Sequence, residues 1–311
     1  MINGLLKRLK AEDGSVLVIV ALCMVVLLGM TALVTDVGLI YLKETRLKAA
    51  TDAGALAGAQ ELPYYPEEAV AKAVYFAEMN GADPGTISAT VGPNSKTLTL
   101  TASNRVNLVF ARVLGFMDKQ VTTSSEAGVG AIKKVGGVMP LAVTERPPED
   151  PYRFGQEYLI KTDGTSGWFG FAALGGTGNK ILEGNLMTGY LDQLEVGQII
   201  ETESGYKADS TGILRTKIAQ DPHYPKCTAE SYTAPCPRVI TIMVITDPIK
   251  TGRSDADLLG FASFLLTDAY EEGTGTNNVK IIKGFFLREV ASGEIDMTKE
   301  GYGLNGVKLL Q

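Results

Sequence analysis

Three places in the chain carry residue types able to do chemistry. His223 is the sole histidine, in Asp221-Pro222-His223-Tyr224-Pro225, and it is followed by Cys227 and Cys236, which bracket the loop CTAESYTAPC. A bridge between these cysteines closes a short loop and pins a segment containing Pro222, Pro225, Pro235 and Pro237, a staple suited to an oxidising compartment. Free thiols are the other reading. A zinc site finds too few ligands here, because a structural site usually takes four and histidine supplies one. A Ser–His–Asp triad would have to pass through His223, and no nucleophile is marked beside it, so a surface-loop histidine is the plain expectation. The second place, Gly175-Gly176-Thr177-Gly178-Asn179-Lys180, lacks the Gly-Lys-Ser/Thr ending of a phosphate-binding loop and reads as a connection between strands. The third is a scatter of single groups. Trp168, Phe169 and Phe171 can stack on a glycan or fill a core, and Asp247, Asp255 and Asp257 can hold calcium or face solvent as loop residues. No catalytic residue, cofactor or metal site is expected.

The element that must organise the chain lies far upstream of these groups. From Ser15 to Thr35 the sequence is uncharged and dominated by Val, Leu, Ile, Ala and Met, about the 20 residues that a helix needs to cross a roughly 30 Å hydrocarbon core. This is expected to span a membrane. After Asp36 the same helix continues without a proline as far as Pro63, with Lys43, Glu44, Arg46, Lys48 and Asp52 on a polar face. Ala50, Gly54 and Gly58 recur every four residues, with Ala53 and Ala57 beside them, and small residues at that spacing let another backbone come close. That backbone can belong to the chain's own domain or to a partner, including a second copy. Asp36 is a carboxylate at the membrane boundary. If the helix stays in lipid through Tyr41, Asp36 needs a basic group or a helix terminus as partner; otherwise it marks the outer interface.

These residues carry a resemblance. GSVLVIVAL, the apolar run, Asp36-Val37-Gly38, Arg46-Leu47-Lys48 and Ala49-Ala50-Thr51-Asp52-Ala53-Gly54-Ala55-Leu56-Ala57-Gly58-Ala59 resemble the N-terminal segment of TadE/TadG-like proteins of the Flp (tight adherence) pilus assembly system. The likeness reaches more weakly to about residue 140, through Leu108–Gly115 and Val121–Ala127. It implies a membrane-anchored, non-enzymatic, pilin-like component whose partners are membrane lipid and other pilus-assembly or pilin-like subunits, with self-association through the N-terminal helix as a further option. The sequence departs from type IV pilins, which are cut after a Gly that precedes the apolar run with Glu five residues on: Gly14 is followed there by Ile19. It also lacks the Asp-x-Ser-x-Ser metal motif that larger relatives carry, the nearest string being Asp163-Gly164-Thr165-Ser166-Gly167.

Charge and composition bound the rest. A net charge of -6 gives no basic patch for nucleic acid, and 45% hydrophobic with 21% charged residues is a globular composition. Lys7, Arg8 and Lys10 stand close before the span while Lys43, Arg46 and Lys48 follow at a distance, which favours a cytoplasmic N-terminus and an extracytoplasmic C-terminal part. A cleaved signal peptide is the rival, with Ala55-Leu56-Ala57 as its box, but the apolar run exceeds the usual h-region of about 7–15 residues.

The expected architecture is α+β. Residues 1–14 form a cytoplasmic segment, 15–35 the transmembrane helix, 36–140 a helix extension with a small pilin-like α+β module, and 152–311 a β-rich domain, sandwich or barrel-like, with a boundary between about 136 and 152. Within the module, Glu67–Asn80 reads as a helix, Thr86–Val91 and Thr97–Ala102 as a hairpin around GPNSK, Asn107–Leu114 as a short helix and Val121–Ile132 as a strand. Beyond it, Glu157–Lys161, Trp168–Ala173, Gln198–Thr202, Ile213–Lys217, Val239–Ile245 and Val279–Val290 read as strands and Asn185–Leu194 as a helix, while Leu258–Tyr270 fits either. Function then lies between pilus assembly or anchoring and, as the alternative, a membrane-tethered surface adhesin or ligand-binding protein. An envelope hydrolase through His223 is the remaining rival.

Overall fold

The computed structural model describes residues 13–162, 170–203, 209–223, 226–232, 235–248, 253–273 and 279–310. They divide into two compact units, one up to Ala127 together with Leu309 and Leu310, the other Gly128–Lys308.

The first unit is built on α1 (Asp13–Ala59), 47 residues long and thus roughly 70 Å from end to end. A turn leads to α2 (Pro66–Met79), which opens on a proline and places Glu67 and Glu68 in its first turn, where the helix dipole favours acid. Ala69, Ala73 and Ala77 form the buried stripe of α2. Then come β1 (Ser88–Val91) and β2 (Thr97–Asn107), antiparallel with Val91 opposite Leu98. A 3-10 turn (Ala111–Leu114) and β3 (Asp118–Val135) follow, and β2 lies between β1 and β3. Strand β2 alternates strictly: Leu98, Leu100, Ala102 and Val106 are buried while Thr97, Thr99, Thr101 and Ser103 face the other way. On that outer face Thr101 and Ser103 pair with Ser124 and Thr122 of β3 through their hydroxyls, at 3.0 and 2.8 Å.

The C-terminal half of α1 covers this sheet. Thr51 and Ser125 are buried polar groups, and both are satisfied: Ser125 Oγ donates to Asp52 Oδ1 at 2.6 Å, and Lys48 Nζ reaches Ser125 Oγ at 2.9 Å and the Ser124 carbonyl at 3.0 Å. The 3-10 turn is shorter than the helix expected over Asn107–Leu114, because Asn107 still belongs to β2; Gly115, at φ +92°, ends it.

The second unit centres on a sheet in the order β4 (Ala142–Thr144), β8 (Val239–Ile245), β9 (Asp255–Glu272), β10 (Val279–Leu287), β5 (Glu157–Thr162), antiparallel except for the β4–β8 pair. Both of its faces are buried. Ile240, Ile242 and Val244 of β8, with Phe264 and Leu266 of β9, pack with Leu182 and Leu186 of α3 (Asn179–Thr188) and Leu214 of α4 (Ser210–Ala219). Met243, Ile245, Leu258 and Phe261 point the other way, into a second cluster with Ile132 of β3, Leu194 of β6 (Leu194–Glu195) and Leu304 of β13 (Leu304–Leu310). Strand β7 (Ile199–Glu201) joins β9, β12 (Glu294–Asp296) joins β3, and β11 (Glu289–Val290) runs parallel to β13. The continuous apolar run of β8 is what such two-faced burial requires.

The architecture is α+β with a β-rich C-terminal part; two local expectations change and one open reading is settled. Ile213–Lys217 is helical, inside α4: Leu214 and Ile218 lie one turn apart on its inner side, and five residues with apolar side chains only at 213 and 214 are too short a stretch to separate strand from helix. The helix expected at Asn185–Leu194 is displaced to Asn179–Thr188, stopped by Gly189 at φ +79°. Leu258–Tyr270 lies in β9. The stretch 136–152 falls inside the second unit, which begins at Gly128 within β3. The Trp168–Phe169 part of its strand and the Asp163–Gly167 string lie outside the described residues, as do residues 1–12.

The closest packing in the first unit makes a prediction. A Cβ on Gly58 would sit 2.6 Å from the Ala69 carbonyl and 2.8 Å from Ala73 Cβ, whereas one on Gly38 meets nothing within 4 Å. Gly58→Leu is expected to destabilise the first unit by about 1–3 kcal/mol through overpacking. Gly38→Ala is expected to leave it unchanged or slightly more stable. Thermal unfolding of the two variants in one detergent reads both.

Candidate functional site

Half of α1 has no protein cover. From Val16 to Val37 its large apolar side chains are exposed, and the helix Val16–Ala59 is long and apolar enough to cross a membrane. The hydroxyls in this run are satisfied locally: Thr31 Oγ donates to the Leu27 carbonyl and Thr35 Oγ to the Thr31 carbonyl, each at 2.9 Å. Among the large residues of the run nothing polar is left to solvate.

At the end of the run stands Asp36, and the structure gives it a partner that no spacing rule predicts. Its carboxylate is buried, 6% exposed, and accepts backbone N–H groups from Val109 at 2.7 Å, Phe110 at 3.0 Å and Ala111 at 2.6 Å. Three consecutive amides entering a 3-10 turn are otherwise unpaired donors, and a carboxylate satisfies them together. The loop they lead into is closed by the Leu108 N–H donating to the Met117 carbonyl at 3.1 Å. Its large apolar side chains are bare: Val113 is 88% exposed, Leu114 78%, Phe116 64% and Met117 60%. One carboxylate therefore fixes an apolar loop beside the last turn of the apolar helix run.

The small-residue ridge meets its own chain. Ala50, Gly54 and Gly58 are buried; Gly54 lies against the Ala73 carbonyl, Ala77 and Leu100, and Gly58 against the Ala69 carbonyl, Ala73 and Leu98. Glycine allows α2 to approach at backbone distance, which offsets its helix-propensity cost of up to about 1 kcal/mol. Ala53 and Ala57, a step round the helix, are half-exposed.

The other candidates lie apart from this helix in the sequence and sit in the second unit. Phe171 is 1% exposed and part of the helix-facing core, while Trp168 and Phe169 lie outside the described residues. In the Gly175–Lys180 loop the Gly178 N–H donates to Glu203 Oε1 at 2.8 Å, so that amide already has an anionic partner. Asp247, Asp255 and Asp257 are exposed. Cys227 and Cys236 are buried free thiols. The ligand atoms of these two, His223 and Asp221 all lie within 4.8 Å of one another. Asp221 was not among the expected ligands; counting carboxylates along with histidine and cysteine, Asp-x-His-x3-Cys-x8-Cys would have marked it.

No curated protein and no solved structure matches the chain. Residues 14–61, the stretch that holds the apolar run, Asp36 and the small-residue ridge, match the family model of the TadE/G-like Flp pilus-assembly domain, called Tad. The apolar run and the ridge on which the first unit is built are therefore the part of the chain that is similar to the TadE/G-like Flp pilus-assembly domain.

Proposed function

We propose that this chain is a single-pass membrane component of Flp-type pilus assembly that works by packing and anchoring rather than by catalysis. Its N-terminus is cytoplasmic and its two folded units are extracytoplasmic. The observation that carries the reading is the pairing of an uncovered apolar half-helix with an uncovered apolar loop, joined through Asp36. In water, so many large exposed apolar side chains in one place are a liability. In a bilayer the helix spans the hydrocarbon, and Val113, Leu114, Phe116 and Met117 enter the outer interface beside it. Arg112 and Lys119, exposed in the loop and just after it, then lie at the depth of lipid phosphates. Three contacts, helix, loop and basic flank, fix the tilt and height at which the first unit presents itself to other pilus components.

Partner subunits then meet the half-exposed Ala53 and Ala57 side of α1, because Ala50, Gly54 and Gly58 are already covered. Retention of residues 1–14 follows from Ile19 standing where a processed pilin has Glu.

Asp36→Asn is the first test. The amide turns an N–H2 group towards donors and forfeits hydrogen bonds to a charged acceptor, each of which contributes roughly 1.5–3 kcal/mol. Faster amide exchange at Val109–Ala111 and impaired pilus assembly at normal protein level are expected. Unchanged assembly with normal levels would contradict the clamp's role. In parallel, fractionation of native cells and an intact mass of the chain are expected to find it in the membrane with its first 14 residues present. Recovery in sheared filaments starting at Ser15 would make it a processed filament subunit instead.

A further inference from the structure

We propose that Asp221, His223, Cys227 and Cys236 bind one zinc ion as a closed structural site in the second unit. The four residues lie in the proline-rich connection between α4 and β8, and the ligand atom that each offers lies within 4.8 Å of the other three. Cys227 Sγ is 3.6 Å from His223 Nδ1 and 3.9 Å from Asp221 Oδ1. In a tetrahedral site with metal–sulfur bonds of about 2.3 Å and metal–nitrogen or –oxygen bonds of about 2.0–2.1 Å, sulfur lies about 3.6 Å from its nitrogen and oxygen neighbours. Both of these Cys227 edges are already close to that length. The His223 Nδ1–Asp221 Oδ1 edge is shorter, at 2.8 Å, where the two groups hydrogen-bond to each other.

Other uses of these residues fit less well. A Cys–His–Asp nucleophile needs the thiol at one ring nitrogen and the carboxylate at the other. Here both face Nδ1, and Cys227 is only 4% exposed. A disulfide needs two sulfurs and gives no reason for an imidazole nitrogen and a carboxylate to converge on them.

The surroundings are those of a metal site. Leu265 and Leu287 form a core with the two cysteines, and Val239 and Phe285 pack against it. Arg238 Nη1 donates to Asp221 Oδ2 at 3.3 Å and to the Cys227 carbonyl at 3.0 Å, and its Nε donates to the Leu266 carbonyl at 2.8 Å. The backbone N–H groups of His223 and Cys227 also donate to Asp221, at 3.1 and 3.2 Å. The carboxylate is thus held in place from outside, as carboxylate ligands commonly are. Charge closes as well: two thiolates and one carboxylate against a divalent ion and the Arg238 guanidinium sum to zero, which removes the cost of burying a net charge. Two thiolates, an imidazole and a carboxylate suit zinc, and a full set of four protein ligands leaves no open position for catalysis. The ion would tie residues 221–238 to the sheet, independently of the role in pilus assembly.

The test uses the full-length chain in detergent, purified without oxidant from cells supplied with zinc. About one zinc per chain is expected by elemental analysis, with an intact mass that shows both thiols reduced after metal removal. Replacement of zinc by cobalt is expected to give thiolate-to-cobalt charge-transfer absorption and the visible bands of tetrahedral cobalt. Cys227→Ser and Cys236→Ser should abolish these, and Asp221→Asn and His223→Ala should weaken cobalt binding at least tenfold. Chelation should lower the melting transition of the wild-type chain by several degrees and re-addition of zinc should restore it, a reversible readout that needs no variant to fold. Folded wild-type chain without bound metal would overturn the proposal. So would a chain from native membranes lighter by two hydrogens, the mark of a Cys227–Cys236 disulfide.

Discussion

The first unit depends on the carboxylate of Asp36 accepting three backbone N–H groups from residues 109–111. Below that point the large apolar side chains of α1 have no protein cover; above it the same helix turns an alanine and glycine ridge to α2 and β2. One helix therefore has two solvents, lipid-like and protein-like, and Asp36 stands where they meet. A buried charge is costly unless charge-assisted hydrogen bonds surround it, and the 109–111 amides supply them. In return, the carboxylate holds an apolar loop level with the end of the apolar helix, where neither water nor the protein core would keep it.

Close packing and polar satisfaction divide the work elsewhere. In the first unit, glycine at 54 and 58 brings α2 to backbone distance, and Lys48, Asp52, Thr51 and Ser125 satisfy one another beneath α1. In the second, β8 and β9 are buried on both faces, one face filled by leucines of two short helices and the other by residues of β3, β6 and β13. Between α4 and β8, Asp221, Cys227 and Arg238 are tied to one another by side-chain polar chemistry beside a small apolar cluster around the two cysteines.

What could be read from the sequence follows from the range of each signal. The helix pair, the β1–β2 hairpin, the Gly115 stop and the anchor rest on local periodicity or composition, and all of them are present. Ile213–Lys217 is helical instead, because two adjacent apolar residues followed by three polar ones carry no decisive period. The Asp36 clamp joins residues more than 70 apart in sequence through backbone amides, which carry no residue-type signature. The environment of His223 is not legible for a simpler reason: the expected surface-loop histidine leaves Asp221 without a role, and only the fold shows it facing both the imidazole and the Cys227 sulfur.

The most direct measurement is depth in a bilayer. A fluorescent unnatural amino acid would be placed at Leu33, Leu114 or Asn94, one position at a time, in reconstituted full-length chain, and quenching by lipids that bear quenchers in their acyl chains would be compared. The account predicts strong quenching at 33, comparable quenching at 114, and little at 94, an exposed turn position between β1 and β2. Quenching at 114 no greater than at 94 would show that the loop held by Asp36 stays in water, and would contradict the claim that this carboxylate sets the unit on the membrane.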